Sequence, residues 1–232
     1  MQPNTILLPG ITADNGLPYR QLVGSLIFLA KCTRPDISFA VSKLSQFLNS
    51  YDKDHWKAAK QVLRYLKGTS NLGIRYNPGR TLKLTGYSDS DYAGDKTERK
   101  STSGQVFFLG KQLISWTSRK QPCVAMSSTE AEYIALASAA REAIWLRRFL
   151  NELGYHQDQP TTIFVDNQST IKLAKNPELH SRTKHIDVRY HYTRTLVEAG
   201  EIQVEYTPTT SQKADGLTKA LMKSKNGAMN ED

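Results

Sequence analysis

The chain has 232 residues, of which 39% are hydrophobic and 23% are charged. It is therefore long enough to bury one core, or one core and a small helical annex, and its composition excludes a disordered or fibrous protein. The net charge of +9 is uneven, because residues 1–80 hold 11 Lys and Arg against 4 Asp and Glu, while the remaining residues hold 20 against 18. That basic excess suits a polyanionic partner, although a basic face that serves only solubility would give the same counts.

The cysteines and the apolar runs bear on the compartment. Cys32 and Cys123 lie in different segments, without paired or metal-type spacing, which favours a reducing, intracellular environment without structural disulfides. The longest apolar run, at residues 25–30, is far too short to span a membrane, and no signal peptide is recognisable. We therefore expect no membrane partner.

Residues 18–67 are predicted to form three helices. Apolar residues recur at helical spacing in 22–29 and in 37–48, and Pro35 suits the first turn of the second helix. Asp52 or Asp54 can cap the third helix, which Gly68 ends.

The third helix is predicted to be amphipathic and basic. Its buried stripe is expected to consist of Trp56, Ala59, Leu63 and Leu66. The outward cations, which could bind a phosphate backbone, are Lys57, Lys60, Arg64 and Lys67. A solvated lysine face explains the same pattern equally well.

Beyond Leu72 the pattern changes from helical to strand periodicity. Residues 82–88 alternate as a strand, and residues 104–109 and 112–117 are expected to pair as a hairpin across Gly110 and Lys111. A long helix from Ser128 or Thr129 to about Leu153 follows. After it we predict a strand at 161–165, helices at 168–175 and 188–199, a strand at 202–206 and a last helix at 211–222. The segments 73–76 and 223–232 are read as a possible strand lead-in and a frayed tail.

These elements predict an α/β fold with a mixed five-stranded sheet and flanking helices, preceded by a small helical segment. The expected boundaries are a helical segment at residues 1–80, an α/β domain at 81–222 and a tail at 223–232.

Acidic residues mark the ends of several predicted elements. Asp89 and Asp91 leave the end of the first strand, and alternation sends both to the same side, where their charges require water, a base or a divalent cation. Glu130 or Glu132, Asp166 and Asp215 follow at other element edges. Helical residues advance by about 100° each, so only one of the two glutamates can join a shared site.

Four carboxylates at one sheet edge would form an oxygen-rich pocket. Such a pocket suits Mg²⁺ or Mn²⁺ and not zinc. Two ions about 4 Å apart could activate a water and stabilise the leaving 3′ oxygen of a phosphodiester. The predicted reaction class is metal-assisted phosphodiester hydrolysis.

Four short runs carry a family resemblance. They are Tyr87-Ser-Asp-Ser-Asp-Tyr-Ala-Gly-Asp95, Ser127-Ser-Thr-Glu-Ala-Glu-Tyr133, Val165-Asp-Asn-Gln-Ser169 and Ala214-Asp-Gly-Leu-Thr-Lys219. Together they resemble the ribonuclease H region of Copia-type retrotransposon Pol polyproteins. The segment from Tyr19 to Gly68 resembles the part of the same polyproteins that lies between the polymerase palm and the ribonuclease H.

The resemblance implies a ribonuclease H-like fold and hydrolysis of the RNA strand of RNA–DNA hybrids with two Mg²⁺ ions, or Mn²⁺ in their place. The catalytic and metal-binding residues that it implies are Asp89, Glu132, Asp166 and Asp215, with Glu130 left as a first-turn acid. Asn167 and Arg189 become candidates, with the cations of the third helix, for contact with the nucleic acid. A cytoplasmic particle or the nucleus is the expected location.

The chain also departs from the wider family. The paired-aspartate palm motif is absent, so no polymerase activity is expected, and the implied partner is a reverse transcriptase palm, in the same polyprotein or in trans. Residues 207–213 lack the histidine that many ribonucleases H carry before the fourth acid. Two alternatives remain: an inactive or domesticated remnant that only binds nucleic acid, and a piece that works only when joined to a polymerase, which the featureless start at residues 2–5 favours.

Overall fold

The computed structural model describes residues 7–10, 16–77, 82–175 and 184–220, with the backbone alone for 184–190. Six α-helices lie within these ranges. They are α1 (Tyr19–Cys32), α2 (Ser38–Ser45), α3 (Lys53–Gly68), α4 (Ser128–Glu152), α5 (Gln168–Lys175) and α6 (Lys184–Glu198). The predicted boundaries near residue 80 and after residue 222 fall on or beside residues outside the described ranges, so they remain predictions.

A five-stranded mixed sheet forms the centre of the α/β part, as predicted. Its strands are β1 (Leu84–Ser90), β2 (Thr102–Leu109), β3 (Gln112–Lys120), β4 (Thr161–Val165) and β5 (Ile202–Tyr206), in the spatial order β3-β2-β1-β4-β5. β1, β2 and β3 pair antiparallel, whereas β4 pairs parallel with both β1 and β5. Gly110 adopts a positive φ of 63° in the tight β2–β3 turn, a conformation that glycine adopts without steric cost.

The two faces of the sheet are covered by different elements. On one face Phe107, Ile163 and Val204 pack against the alanine-rich side of α4 and against α5 and α6. On the other face Val106 and Phe108 pack with Leu217, in a layer that contacts the helices before the sheet. Alternation along β2 thus supplies both cores.

The helical segment, α1–α3 at residues 19–68, has a core of its own. Tyr19, Leu26 and Leu44 are fully buried in it. Of the two predicted caps of α3 it is Asp52 that caps the helix, by accepting hydrogen bonds from the backbone N–H groups of Asp54 and His55. The segment docks on the sheet, where Trp116 Nε1 donates to Ala30 O at 2.7 Å.

Three local predictions are wrong. Leu63, expected in the buried stripe of α3, is 42% exposed, because Val62 takes the buried position one residue earlier. Residues 73–76 are not a strand, although Tyr76 Oη donates to Leu113 O at 3.0 Å at the sheet edge. In place of a last helix at 211–222 the described residues form two 3-10 turns, Thr209–Ser211 and Asp215–Leu217. Gly216 disfavours an α-helix there, and a tight turn suffices to bury Leu217 against the sheet.

Two absences concern the described ranges only. None of their helices is both long and apolar enough to cross a membrane. Among the described residues, Cys32 and Cys123 are free thiols.

Candidate metal centre

Two parallel strands bring Asp89 and Asp166 together. Tyr87 in β1 pairs with Phe164 in β4, and continuing that register by two residues sets Asp89 beside Asp166, directly after β4 ends. Because the carboxyl ends of adjacent parallel strands share one sheet edge, residues 77 positions apart in the chain become neighbours.

The third carboxylate comes from the start of α4. Ser127 caps this helix by accepting from Glu130 N at 3.1 Å, and α4 packs on β1, so that Glu132 lies over the strand end. Its Oε1 accepts hydrogen bonds from Ser90 N and Ser90 Oγ, at 3.1 and 3.2 Å.

We call Asp89, Glu132 and Asp166 the carboxylate cluster. One oxygen from each lies within 4.8 Å of the others. Asp89 and Glu132 are 4% and 6% exposed, and Asp166 is half-buried. Glu132 Oε2 is fully buried and accepts no hydrogen bond from any described residue.

Burial and mutual repulsion perturb the cluster. Burial, followed by the charges of Asp89 and Asp166, raises the pKa of Glu132 to about 9. Burial, together with the charges of Asp166 and Asp215, raises the pKa of Asp89 to about 6, against the opposing hydrogen bond from Thr218 and the charge of Lys219. Close buried carboxylates cannot all ionise without a counter-charge.

These observations fit a hard divalent cation. The three converging groups offer oxygen ligands only, which suit Mg²⁺ or Mn²⁺ better than zinc. The buried Oε2 of Glu132, which receives no described hydrogen bond, is the kind of atom that a metal ion would satisfy.

The structure separates the cluster from its sequence neighbours. Glu130 Oε2 accepts from Met126 N at 2.8 Å, which is the expected first-turn role. Asp91, which strand alternation places on the same side as Asp89, is not part of the cluster: β1 ends at Ser90, and Asp91 Oδ1 accepts a hydrogen bond from the backbone N–H of Thr102.

Comparison with known proteins identifies the family. The chain is 46% identical over 225 residues, 97% of its length, to the retrovirus-related Pol polyprotein from transposon TNT 1-94 of Nicotiana tabacum. It is also 46% identical over 219 residues to the corresponding protein from transposon RE1 of Arabidopsis thaliana. The chain belongs to the Copia-type retrotransposon Pol polyproteins. It spans 17% and 15% of the length of these two relatives.

The other comparisons add little to this result. No protein-family model matches the chain. Among solved structures, the N-terminal RNase H domain of a Mycobacterium tuberculosis protein is similar with a TM-score of 0.44 and 16% identity, covering 64% of this chain and 94% of that domain. The mixed five-stranded sheet with flanking helices agrees with the α/β architecture predicted from the sequence.

The fourth acid expected for this Pol segment lies beside the carboxylate cluster and not in it. Asp215 is 4% exposed, and its Oδ1 forms an ion pair with Lys219 Nζ. Burial lowers the pKa of the Lys219 ammonium, but the hydrogen bond to Asp215 and the charges of Asp215, Asp89 and Asp166 outweigh it and raise that pKa. The described geometry thus gathers three of the four expected ligands.

Of the residues expected to contact nucleic acid, four lie on α3, Asn167 directly precedes α5 and Arg189 lies in α6. Lys57 pairs with Asp54 at 2.9 Å, and Lys60 Nζ lies 5.7 Å from the Trp56 ring centroid. Arg64 and Lys67 are exposed on α3. Asn167 Oδ1 accepts from Thr170 N at 3.1 Å at the start of α5, and the side chain of Arg189 lies outside the described set.

Three hydroxyl groups around the cluster were not foreseen from the sequence. Ser90 donates to Glu132, Thr218 Oγ1 donates to Asp89 Oδ2, and Thr209 Oγ1 donates to Asp166 Oδ2 at 2.8 Å. Each carboxylate therefore has its own hydroxyl donor. Thr218 was within reach of sequence reasoning, since it follows Asp215 by three residues in the fourth run, whereas Thr209 is 43 residues from its partner and carried no signal.

Proposed function

We propose that the chain is the ribonuclease H part of a retrotransposon reverse transcriptase and hydrolyses the RNA strand of RNA–DNA hybrids in the presence of Mg²⁺, or of Mn²⁺ as a substitute. The observation that carries the proposal is the carboxylate cluster, in which three buried or half-buried acids from three separate elements face one another within 4.8 Å. Family membership makes this reaction class the natural one for such a cluster.

The acids are assigned as metal ligands. Asp89, Glu132 and Asp166 would hold the metal, two ions in the proposed active form, with Asp215 joining when the substrate arrives. Bound there, divalent ions supply an activated water and a positive charge beside the leaving 3′ oxygen.

The chain's own hydroxyl groups position these acids. The hydroxyls of Ser90, Thr218 and Thr209 each donate to one carboxylate, which leaves the remaining oxygen lone pairs to point into the cluster. Ser90 reinforces its contact with its backbone N–H.

We propose that Lys219 keeps Asp215 beside the cluster, and not in it, until the substrate binds. Its ammonium pairs with Asp215 and also feels the charges of Asp89 and Asp166. It therefore offsets part of the negative charge at this edge. When a phosphodiester binds, the same ammonium can contact a phosphate oxygen while Asp215 turns toward the cluster.

The substrate and the partners belong to the same proposal. The Lys and Arg excess of residues 1–80 favours a polyanion, and we propose the RNA–DNA hybrid that a reverse transcriptase produces. The palm region of the same polyprotein, or one supplied in trans, is the proposed partner. The palm motif is not in this chain, so we propose no polymerase activity for it.

The test compares wild type with Asp166→Asn on a hybrid whose RNA strand is end-labelled. Asp166 is the least buried cluster acid, so its substitution disturbs the core least. We expect Mg²⁺-dependent cleavage by the wild type, none with EDTA, and a loss on the order of 10³-fold in the variant, since a metal supplies several kcal/mol of transition-state stabilisation.

Controls separate this function from its alternatives. The same RNA as a single strand should be cut far more slowly than the hybrid. Equal cleavage by wild type and Asp166→Asn contradicts the proposal. Binding without cleavage by the wild type favours the remnant, and cleavage only after addition of the palm favours the polymerase-dependent alternative.

A further inference from the structure

A cleft of about 830 Å³ lies between the helical segment and the sheet, beside the carboxylate cluster. One wall is formed by Phe39, Lys43 and Phe47 of α2 and the turn that follows it, and the other by the β1–β2 loop at residues 91–101. Its volume is within the range of about 300–1,000 Å³ that is usual for ligand sites. Neither the fold nor the proposed metal chemistry requires an open space there.

The cleft carries more positive than negative charge. Five lysines line it against three acids, and the lysines are Lys43, Lys96, Lys100, Lys120 and Lys219. The three acids are Asp91, Asp95 and Glu98. An excess of ammonium groups in a concave site attracts phosphate, since field lines concentrate in a low-dielectric cleft.

Asp95 positions two of these lysines from opposite walls. Its carboxylate forms ion pairs with Lys120 of β3 and, at 3.9 Å, with Lys43 of α2. Burial raises the pKa of Asp95, but the hydrogen bonds from Lys120 and from the backbone of Glu98 and Thr97, and the charge of Lys43, lower it to about 2. Asp95 therefore stays ionised and keeps both ammonium groups at the cleft.

The α2 wall also offers an apolar surface. Phe39 and Phe47 are only partly buried and line the cleft together with Leu7. Partly exposed aromatic rings beside cations are the usual platform for nucleic-acid bases, because every base has a face that can stack and a phosphate close by.

The cleft is continuous with the carboxylate cluster. Thr218 and Lys219 line it, and the same two residues contact Asp89 and Asp215. A strand with its reactive phosphate at the cluster would thus pass Lys219 and enter the cleft within a few nucleotides.

We infer that this cleft binds the RNA strand near the bond that is cut, with its phosphates on the lysines and a base against Phe39 or Phe47. The inference rests on the proposed function and moves the nucleic-acid contact of the helical segment from α3 to α2. The exposed cations of α3 do not line the cleft.

A charge-matched pair of double variants tests the inference. Lys43→Gln with Lys96→Gln removes two cleft charges, and Lys57→Gln with Lys67→Gln removes two from α3. Both are made in the full chain carrying Asp166→Asn, and binding of a fluorescent RNA–DNA hybrid in Ca²⁺ is followed by anisotropy at several salt concentrations.

The cleft pair should raise the Kd about tenfold or more near 0.1 M salt. It should also lower the slope of log Kd against log salt concentration by about 1 to 2, since each lost phosphate contact removes about 0.9 from that slope. The α3 pair should change the Kd less than about twofold. Equal losses in both pairs, or a larger loss in the α3 pair, overturn the inference.

Photo-crosslinking of the chain without the lysine changes covers the case in which the cleft variants fold poorly. Hybrids carrying 4-thiouridine at successive RNA positions should crosslink to the tryptic peptides at 32–43 or 44–53, which hold Phe39 and Phe47. Crosslinks confined to residues 54–68, or to residues that line neither wall of the cleft, overturn the inference. Cleavage by wild type in Mg²⁺ reports separately on the proposed function, so the two can fail independently.

Discussion

In the helical segment each described acid pairs with a basic side chain or caps a helix, whereas the acids at the sheet edge, although each accepts a hydrogen bond from a hydroxyl group, also face one another. Asp36 receives two hydrogen bonds from Arg34 and one from Tyr65, and Asp54 pairs with Lys57. Asp52 caps α3 and contacts His55. At the sheet edge, by contrast, the carboxylate cluster gathers three acids within 4.8 Å.

The difference separates acids that stabilise the fold from acids that cost it stability. In a buried pair such as Arg34 and Asp36, each charge is compensated by the other. In the cluster, by contrast, burial and the neighbouring acids raise the pKa values of Asp89 and Glu132, and Glu132 Oε2 has no described hydrogen-bond partner. Proteins accept such costs chiefly where a ligand will relieve them. Changes in the two regions should therefore affect different measurements.

The largest effect should come from Glu132→Gln, compared with Glu130→Gln. Both glutamates are buried in the first turns of α4, but only Glu132 belongs to the cluster. We expect hybrid cleavage in Mg²⁺ to fall on the order of 10³-fold in the first variant and less than about tenfold in the second. Similar losses in both, at equal thermal stability, would break the distinction between the two acids.

The next effect is on the helical segment. Asp36→Ala should lower the free energy of unfolding by about 3–5 kcal/mol, because it leaves the buried guanidinium of Arg34 without its carboxylate. Asp54→Ala, at an exposed pair, should cost less than about 1 kcal/mol. Urea denaturation measures both, and the Mg²⁺ dependence of cleavage by the folded fraction should be unchanged in each.

The third prediction concerns pH in the absence of metal. The folded-state pKa values of Asp89 and Glu132, about 6 and about 9, lie above their ordinary values of 3.8 and 4.5. Between the ordinary and the folded-state pKa of each acid, the folded protein holds a proton that the unfolded chain has released. The contribution of these two acids to the free energy of unfolding is therefore greatest at low pH and falls as pH rises through each of these ranges.

Thermal melts in EDTA should show this fall between about pH 4 and pH 9. Asp89→Asn should remove about 3 kcal/mol of the pH-dependent loss in the free energy of unfolding, since one pKa unit corresponds to about 1.4 kcal/mol. This change should fall mostly between about pH 4 and pH 6. Added Mn²⁺ should raise the Tm more at pH 8 than at pH 5, since protons compete with the metal. A Tm that Mn²⁺ leaves unchanged at pH 8 would contradict metal binding by the cluster.

The smallest effect should come from a glycine pair. A Cβ at Gly104 would lie 2.8 Å from Leu217 Cβ and from Thr218 Cγ2, so Gly104→Ala should displace the turn that holds Asp215. We expect the free energy of unfolding to fall by about 1–3 kcal/mol and the hybrid to be cleaved more slowly. Gly24→Ala on α1, where nothing lies within 4 Å, should stabilise by about 1 kcal/mol and leave cleavage intact.

Much of the fold was predictable because it rests on local patterns. The period-two alternation of β1 and β2, the alanine-rich face of α4, and the caps at Asp52 and Ser127 indicate their elements without tertiary information, although Ser128 or Thr129 was the expected cap of α4. The terminal turn at Asp215–Leu217 was not predictable, because the packing of Leu217 on the sheet decides its conformation. Leu63 was misplaced because Val62, one helical step away, fits the same pattern.

The sequence by itself determined which acids are chemically notable, through their positions at element ends and their resemblance to Copia-type Pol. Only the tertiary structure decided which of them meet, because the register of β1 against β4 and the packing of α4 set distances that no spacing along the chain encodes. The tertiary structure also decided that Asp91 bonds to the backbone of Thr102 and that each acid of the cluster has a hydroxyl donor. The packing of α2 beside the sheet likewise forms the cleft. Contacts between residues up to 129 positions apart, such as Thr218 with Asp89, depend on how the whole chain packs.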